Sequence, residues 1–208
     1  MAEQFDQVLL FGAGFDTRAP RFQAAAQQAR IFELDAPLTQ QAKLQQYRKR
    51  GLDIPPNVVF IAIDFDREPL PDKLEAARFH KGRKTLFVLE GLLMYLEPES
   101  VRTTFQTIQA YAGTGSWVVF DYVRASVLQR EHALYGEAGV AQMVSKAGEQ
   151  WRFGLDPDEV ASFMADFGFQ VSDHKDAPGL EAMYFQDADG LLAGRINGTH
   201  CIVTAVRQ

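Results

Sequence analysis

Apolar runs with no polar alternation confine a strand to a sheet that is covered on both faces. This chain spells out strands at residues 7–11, 30–34, 58–63, 84–89 and 116–123, and four of them are near-continuous apolar runs, VVFIAI and LFVL among them. Helix-prone segments separate them. Residues 19–29 are rich in Ala and Gln, with Pro20 tolerated in the first turn. Pro37 opens a second helix that carries TQQAKLQQYRKR and stops at Gly51. Residues 69–79 form a short helix and residues 99–111 a longer one. Strand and helix alternate, so the spacing predicts an α/β fold with a doubly wound sheet, mostly parallel, whose last strand is antiparallel.

The second half of the chain is less regular. Residues 125–147 are helix-prone but interrupted by Gly136 and Gly139, which predicts two helical pieces and makes 125–151 a candidate lid. Asp156, Pro157, Asp158 and Glu159 have the cap, proline and acid of a helix start, and that helix ends at Gly168. Residues 169–173 and 200–207 read as the sixth and last strands, with an irregular segment at 175–198. No composition shift marks a boundary, so residues 1–208 are expected to form one domain.

Composition narrows the function classes. The formal net charge is -6, which argues against a protein held to nucleic acid by phosphate contacts. Cys201 is the single cysteine, so no internal disulfide forms. No apolar run approaches membrane-spanning length, and the first residues, MAEQFDQ, lack the basic and apolar regions of a signal peptide. A cytoplasmic location with no membrane partner is the expectation.

The chemistry gathers where the strands end. Val8 to Arg18 reads VLLFGAGFDTR: an apolar strand, a Gly12-Ala13-Gly14 turn, then Asp16, Thr17 and Arg18. Two glycines let a ligand approach the backbone N–H groups. The third glycine of the dinucleotide fingerprint is absent, because position 17 is Thr17. With Asp16 beside it, the loop suits a ligand carrying positive charge better than a pyrophosphate. The same turn also serves as a tight strand-to-helix connection with no ligand at all. Asp35 ends the second strand about twenty residues later, where an acid accepts the hydroxyls of a ribose; capping the helix at Pro37 is its plainer role. Asp64 can take the exocyclic amine of adenine and Phe65 can flank the ring, or the pair is a loop acid and a core aromatic. Glu90-Gly91 ends the fourth strand. Carboxyl ends of adjacent strands share one crevice in such a sheet, so the coincidence of these groups outweighs any one of them. An acidic crevice suits an ammonium and a sulfonium, and S-adenosyl-L-methionine has both.

GAGFDTRAPR, FELDAP followed by Lys43, the Asp64-Phe65 pair and EGLLMYL together resemble the leucine carboxyl methyltransferase family, and RFGLDPDEVASFMADFGFQV resembles its C-terminal part. The resemblance implies a Rossmann-like methyltransferase sheet that uses S-adenosyl-L-methionine. It implies that Gly12, Ala13 and Gly14 line the methionine part, with Asp16 and Gly91 in the same shell. Asp35 would hold the ribose, Asp64 and Phe65 the adenine, and Glu90 the amino group. Tyr95 would face the acceptor as the catalytic-site residue. Family members carry a helical segment with basic residues before the first motif. This chain starts almost at its first strand, so it is expected either to be a truncated or minimal member or to pass the missing role to another residue; Arg18 is the nearest basic candidate for the cofactor carboxylate, and a solvated helix-start arginine is its plainer role.

The expected activity is O-methylation of a carboxylate or hydroxyl on a small molecule or a peptide C-terminus. A carboxylate, with an unperturbed pKa of about 4, needs no base; a hydroxyl needs one. His80, His132, His174 and His200 are scattered, with no metal-ligand spacing. His132 is the one that falls in the candidate lid, and Tyr95 and Arg152 are candidates for orienting an acidic acceptor. Two other readings compete: a methyltransferase-like binding or interaction module without catalysis, and a nicotinamide-dependent oxidoreductase suggested only by the Gly-Ala-Gly turn.

Overall fold

A computed structural model describes residues 4–21, 29–129, 133–146, 148–187 and 189–208. Seven strands form one sheet: β1 (Gln7–Phe11), β2 (Arg30–Asp35), β3 (Val58–Ala62), β4 (Thr85–Leu89), β5 (Trp117–Val123), β6 (Phe169–Lys175) and β7 (His200–Arg207). Their spatial order is β3-β2-β1-β4-β5-β7-β6. The first five are parallel to their neighbours. β7 enters between β5 and β6 and runs antiparallel to both. The dinucleotide-binding order 3-2-1-4-5-6 is thus altered by one inserted strand. Its insertion brings residue 200 to the edge where the parallel strands end.

The described helices are α1 (Arg18–Arg21), α2 (Pro37–Arg50), α3 (Leu70–Ala76), α4 (Pro98–Tyr111), α5 (Ala125–Leu128), α6 (Glu137–Lys146), α7 (Val160–Asp166) and α8 (Ala177–Tyr184), with a 3-10 turn at Leu93–Tyr95. Alternate residues of each strand point to opposite faces. Leu9, Phe11, Phe32, Leu34, Phe87 and Leu89 enter the main core, which α3, α4 and α7 cover with Leu74, Phe105, Ile108 and Met164. The opposite face holds a smaller cluster around Leu10 and Ile31, with Ala13 and Ala19 packed on it. α2 lies on that face and buries a charged pair: Lys43 Nζ stands 2.5 Å from Glu33 Oε2, each side chain 2% exposed.

Several boundaries differ from those expected. Gly139 sits inside α6, and Gly136, whose φ of 77° is left-handed, immediately precedes that helix. The four residues from Asp156 form a turn closed by Glu159 N–H to the Asp156 carbonyl at 3.0 Å, and α7 starts only at Val160. The segment 175–198 contains a helix, α8, started by the Asp176 carboxylate accepting from Gly179 N–H at 3.0 Å, with a proline in its first turn. β6 continues to Lys175 past an irregularity between Val171 and Asp173, which hides its period from sequence. Of the helix expected at 19–29, residues 22–28 lie outside the described residues, as does His132.

Candidate functional site

The loop after β1 is built by its glycines and by the neighbouring strand. Gly12 and Gly14 take left-handed φ values of 60° and 45°, which a side chain strains. A Cβ on Gly12 would also stand 3.3 Å from the Leu92 side chain. Ala13 N–H donates to the Leu34 carbonyl at 2.9 Å, and Asp16 N–H turns back to the Ala13 carbonyl at 2.7 Å. Asp35, at the end of β2, accepts from Gly14 N–H with one oxygen and from Ala36 N–H at 2.6 Å with the other. A carboxylate has about four acceptor positions, so Asp35 anchors the loop and keeps capacity for further donors.

Asp16 and Glu90 meet on one cation. Asp16 accepts from Arg18 N–H at 2.7 Å and from Arg18 Nε at 2.6 Å. Arg18 Nη2 reaches Glu90 Oε2 at 2.9 Å. The Glu90 side chain is 68% exposed, so its carboxylate remains open to a ligand. A cavity of about 600 Å³ lies over this loop, lined by residues 10–18 with Arg21, Val88, Glu90 and Gly91. Gly12, Ala13, Gly14, Asp16, Arg18, Glu90 and Gly91 therefore come together. Asp35 joins them through Gly14 but does not line that cavity, and neither do Asp64 and Phe65. Asp64 accepts from Asp66 N–H at 3.1 Å, and Phe65 lies half-buried against Phe11, ring centroids 6.0 Å apart.

A second cavity of about 510 Å³ shares Arg18, Val88 and Glu90 with the first and continues past Asp121 to His200. The Arg18–Glu90 pair stands between the two. Val119, Leu180, Ile196 and Ile202 give the second cavity apolar walls. Asp121 accepts from Gly91 N–H at 2.7 Å, and burial raises its carboxyl above the ordinary range. His200 is held below the ordinary imidazole range by burial, against the opposing pull of Asp121.

Tyr95 lies beside this cavity's neighbours. Burial pushes its phenol up, with Trp151 and Glu149 next to it. The Trp151 ring meets His200 edge-on at 5.4 Å. Arg152 turns elsewhere, pairing with Glu97 at 3.0 Å and lying 4.0 Å from Asp66. His174 is engaged with the Tyr122 hydroxyl at 2.9 Å. Among the described residues, no group of three His, Cys, Asp or Glu side chains is placed to hold a metal ion, and no helix is long and apolar enough to cross a membrane.

Sequence reasoning did not find Asp121, Trp151 or His200. Asp121 sits inside a strand, flanked by Phe120 and Tyr122, and carries no motif of its own. His200 reaches the site only because β7 runs antiparallel between β5 and β6, a pairing that local sequence does not encode.

YktD of Bacillus subtilis, which carries the name of an S-adenosyl-L-methionine-dependent methyltransferase, is 25% identical over 181 residues, covering 87% of this chain and 59% of that protein. A Mycolicibacterium gilvum protein of the same name is 34% identical over 117 residues, 56% of this chain and 38% of its own. The chain thus spans little more than half the length of such relatives at most. Among solved structures, an O-methyltransferase family protein from Burkholderia thailandensis superposes with a TM-score of 0.62 at 12% identity, over 99% of this chain and 52% of that one. NcsB1, an O-methyltransferase from neocarzinostatin biosynthesis solved with S-adenosylmethionine and 2-hydroxy-5-methyl naphthoic acid, gives 0.57 at 16% identity, over 98% and 49%. These likenesses establish the fold. The family assignment comes from residues 1–109, which match leucine carboxyl methyltransferase: the chain belongs to the leucine carboxyl methyltransferase family.

Proposed function

We propose that the chain is an S-adenosyl-L-methionine-dependent O-methyltransferase acting on a carboxylate or hydroxyl of a small molecule or peptide C-terminus. The observation that carries this reading is the meeting of the Gly12–Arg18 loop, Asp35 and Glu90 at one sheet edge beside a cavity of about 600 Å³. The residues fit such a donor. Arg18 and Glu90 present opposite charges side by side, which suits the carboxylate and ammonium of an amino acid. Asp35 has acceptor capacity left for ribose hydroxyls. Bare glycine backbone lets the chain between them come close. Asp64 and Phe65 stand at the next strand end, toward the adenine side. The bound cofactor would supply an electrophilic methyl group on sulfur; the protein's task is to hold acceptor and methyl in line. Trp151, at the end of the candidate lid, packs against His200, which supports a covering role for that end of the segment.

Calorimetry with S-adenosylhomocysteine tests this reading. Wild type is expected to bind saturably, with no comparable binding of NADH. Glu90→Gln is expected to weaken binding about tenfold, or about 1.4 kcal/mol, since it removes one charge-assisted hydrogen bond to the amino group. Absence of saturable S-adenosylhomocysteine binding by wild type would sink the proposal.

A further inference from the structure

His200 opens β7 opposite Val123, at the edge where the parallel strands end. Its neighbours fix the ring. Nδ1 lies 2.7 Å from the Oγ1 of Thr199, a residue with no exposed surface. Thr199 N–H is itself held by Asn197 Oδ1 at 2.9 Å, and Trp151 packs edge-on against the imidazole. Nε2 has no hydrogen-bond partner among the described residues, and the residue lines the cavity of about 510 Å³ that begins at the Arg18–Glu90 pair. Asp121 is its diagonal neighbour on the same sheet face, since Asp121 pairs with Ile202 and Val123 with His200.

We propose that His200 is the general base of this site and that the acceptor is a hydroxyl on an apolar body, a phenol or enol, rather than a carboxylate. This rests on the reading of the adjoining crevice as the methyl-donor site. Three features favour it. Asp121 and Glu90 outnumber Arg18 along the second cavity, so its charge disfavours an anionic acceptor, while a neutral hydroxyl enters without that penalty. Val119, Leu180, Ile196 and Ile202 suit an aromatic ring. A carboxylate gives up its proton unaided at neutral pH, whereas a phenol with a pKa of about 10 does not, so a positioned base has work only for the hydroxyl.

The step balances. Thr199 Oγ1 accepts from Nδ1–H, which leaves the Nε2 lone pair toward the cavity. As the hydroxyl oxygen bonds to the methyl carbon, its proton passes to Nε2. The carbon–sulfur bond breaks with its electron pair staying on sulfur. A methyl ether and a neutral thioether result, and the imidazolium returns its proton to solvent. Burial keeps His200 neutral and able to accept, and Asp121 stabilises the imidazolium that forms. The charged groups lining the cavity with His200 are Asp121 from β5, Glu90 after β4 and Arg18 from α1, and of these Asp121 acts on the ring.

Nitrogen-15 NMR of the histidine rings in the protein alone tests the base without any cofactor, with His200→Gln assigning the signal. The expected result is the Nδ1–H tautomer and a titration midpoint below about 6.5, moved lower still in Asp121→Asn. An Nε2–H tautomer at pH 8, or an imidazolium persisting above pH 7, would overturn the proposal. With S-adenosyl-L-methionine present, 1-naphthol and 1-naphthoic acid separate the two acceptor classes. His200→Gln is expected to slow transfer to 1-naphthol by about 10² to 10⁴-fold, with S-adenosylhomocysteine affinity held within about twofold of wild type. Transfer to 1-naphthol at an undiminished rate in His200→Gln, or methylation of 1-naphthoic acid in preference to 1-naphthol by wild type, would count against it. Failure of wild type to bind S-adenosylhomocysteine would strike the cofactor reading instead, and the tautomer and titration would still decide the role of His200.

Discussion

Replacing Lys43 with methionine is expected to destabilise the protein by about 3–5 kcal/mol, because it strands a buried carboxylate without its partner. Lys43 Nζ lies 2.5 Å from Glu33 Oε2, and both side chains are 2% exposed. Among the described residues, the second Glu33 oxygen has no hydrogen-bond partner, and neither has the buried Tyr47 hydroxyl. Lys43 is thus the group that compensates the Glu33 charge. In a chain of this size the loss corresponds to about 2–4 °C in Tm per kcal/mol. The effect depends on pH, and its sign is fixed. Burial raises the Glu33 carboxyl above its ordinary range while Lys43 lowers it, so removing Lys43 raises it further. Between the unfolded and folded values the native state binds the extra proton, so stability falls as pH rises through that window. The Lys43→Met deficit should be smaller at pH 5 than at pH 8. Urea melts at the two pH values check this, and an equal deficit at both would contradict it. Adding Glu33→Leu should recover most of the loss, since an ion pair replaced on both sides is often neutral.

The parallel half of this fold was legible because each strand carries its own signal. Val58 to Ala62 and Leu86 to Leu89 are apolar without alternation, Pro37 starts α2 and Gly51 ends it in a left-handed turn. The loop from Gly12 to Arg18, and the acids at the strand ends, were legible for the same reason: motif and strand adjoin in sequence. What was missed depends on distant pairing. Asp121 is polar inside a strand and gains its role from Gly91, thirty residues away. His200 gains its place from the insertion of β7 beside β5. Arg152, a candidate for orienting an acidic acceptor, is paired with Glu97 at 3.0 Å, a partner that its sequence neighbourhood does not announce. Charged side chains on long stems choose partners by three-dimensional proximity, and spacing along the chain does not report that.

Asp35→Ala is expected to weaken adenosine and S-adenosylhomocysteine binding alike, by about 100-fold, or about 2.7 kcal/mol. Two losses combine. The ribose loses its charged acceptor, and the glycine loop loses its anchor, because Asp35 accepts from both Gly14 and Ala36 N–H groups. Gly14 holds a left-handed φ of 45°, a conformation the freed loop has less reason to keep. Asp35→Asn retains one acceptor oxygen but turns an amide donor toward one of two backbone N–H groups, so an intermediate loss is expected. Paired ligands separate this role from that of Glu90. Adenosine lacks the amino-acid end, so Glu90→Gln should leave adenosine affinity unchanged while lowering that for S-adenosylhomocysteine. Asp35→Ala should lower both by a similar factor. Calorimetry of the two ligands against the two variants gives four affinities, and thermal melts report stability separately. If Asp35 only caps the turn into α2, the melting temperature falls while adenosine affinity holds, and the ribose assignment fails. If both ligands weaken together in Asp35→Ala and only one weakens in Glu90→Gln, the donor lies with its ribose at β2 and its amino group at β4. That orientation directs its sulfur toward the Arg18–Glu90 boundary and so toward the cavity that ends at His200.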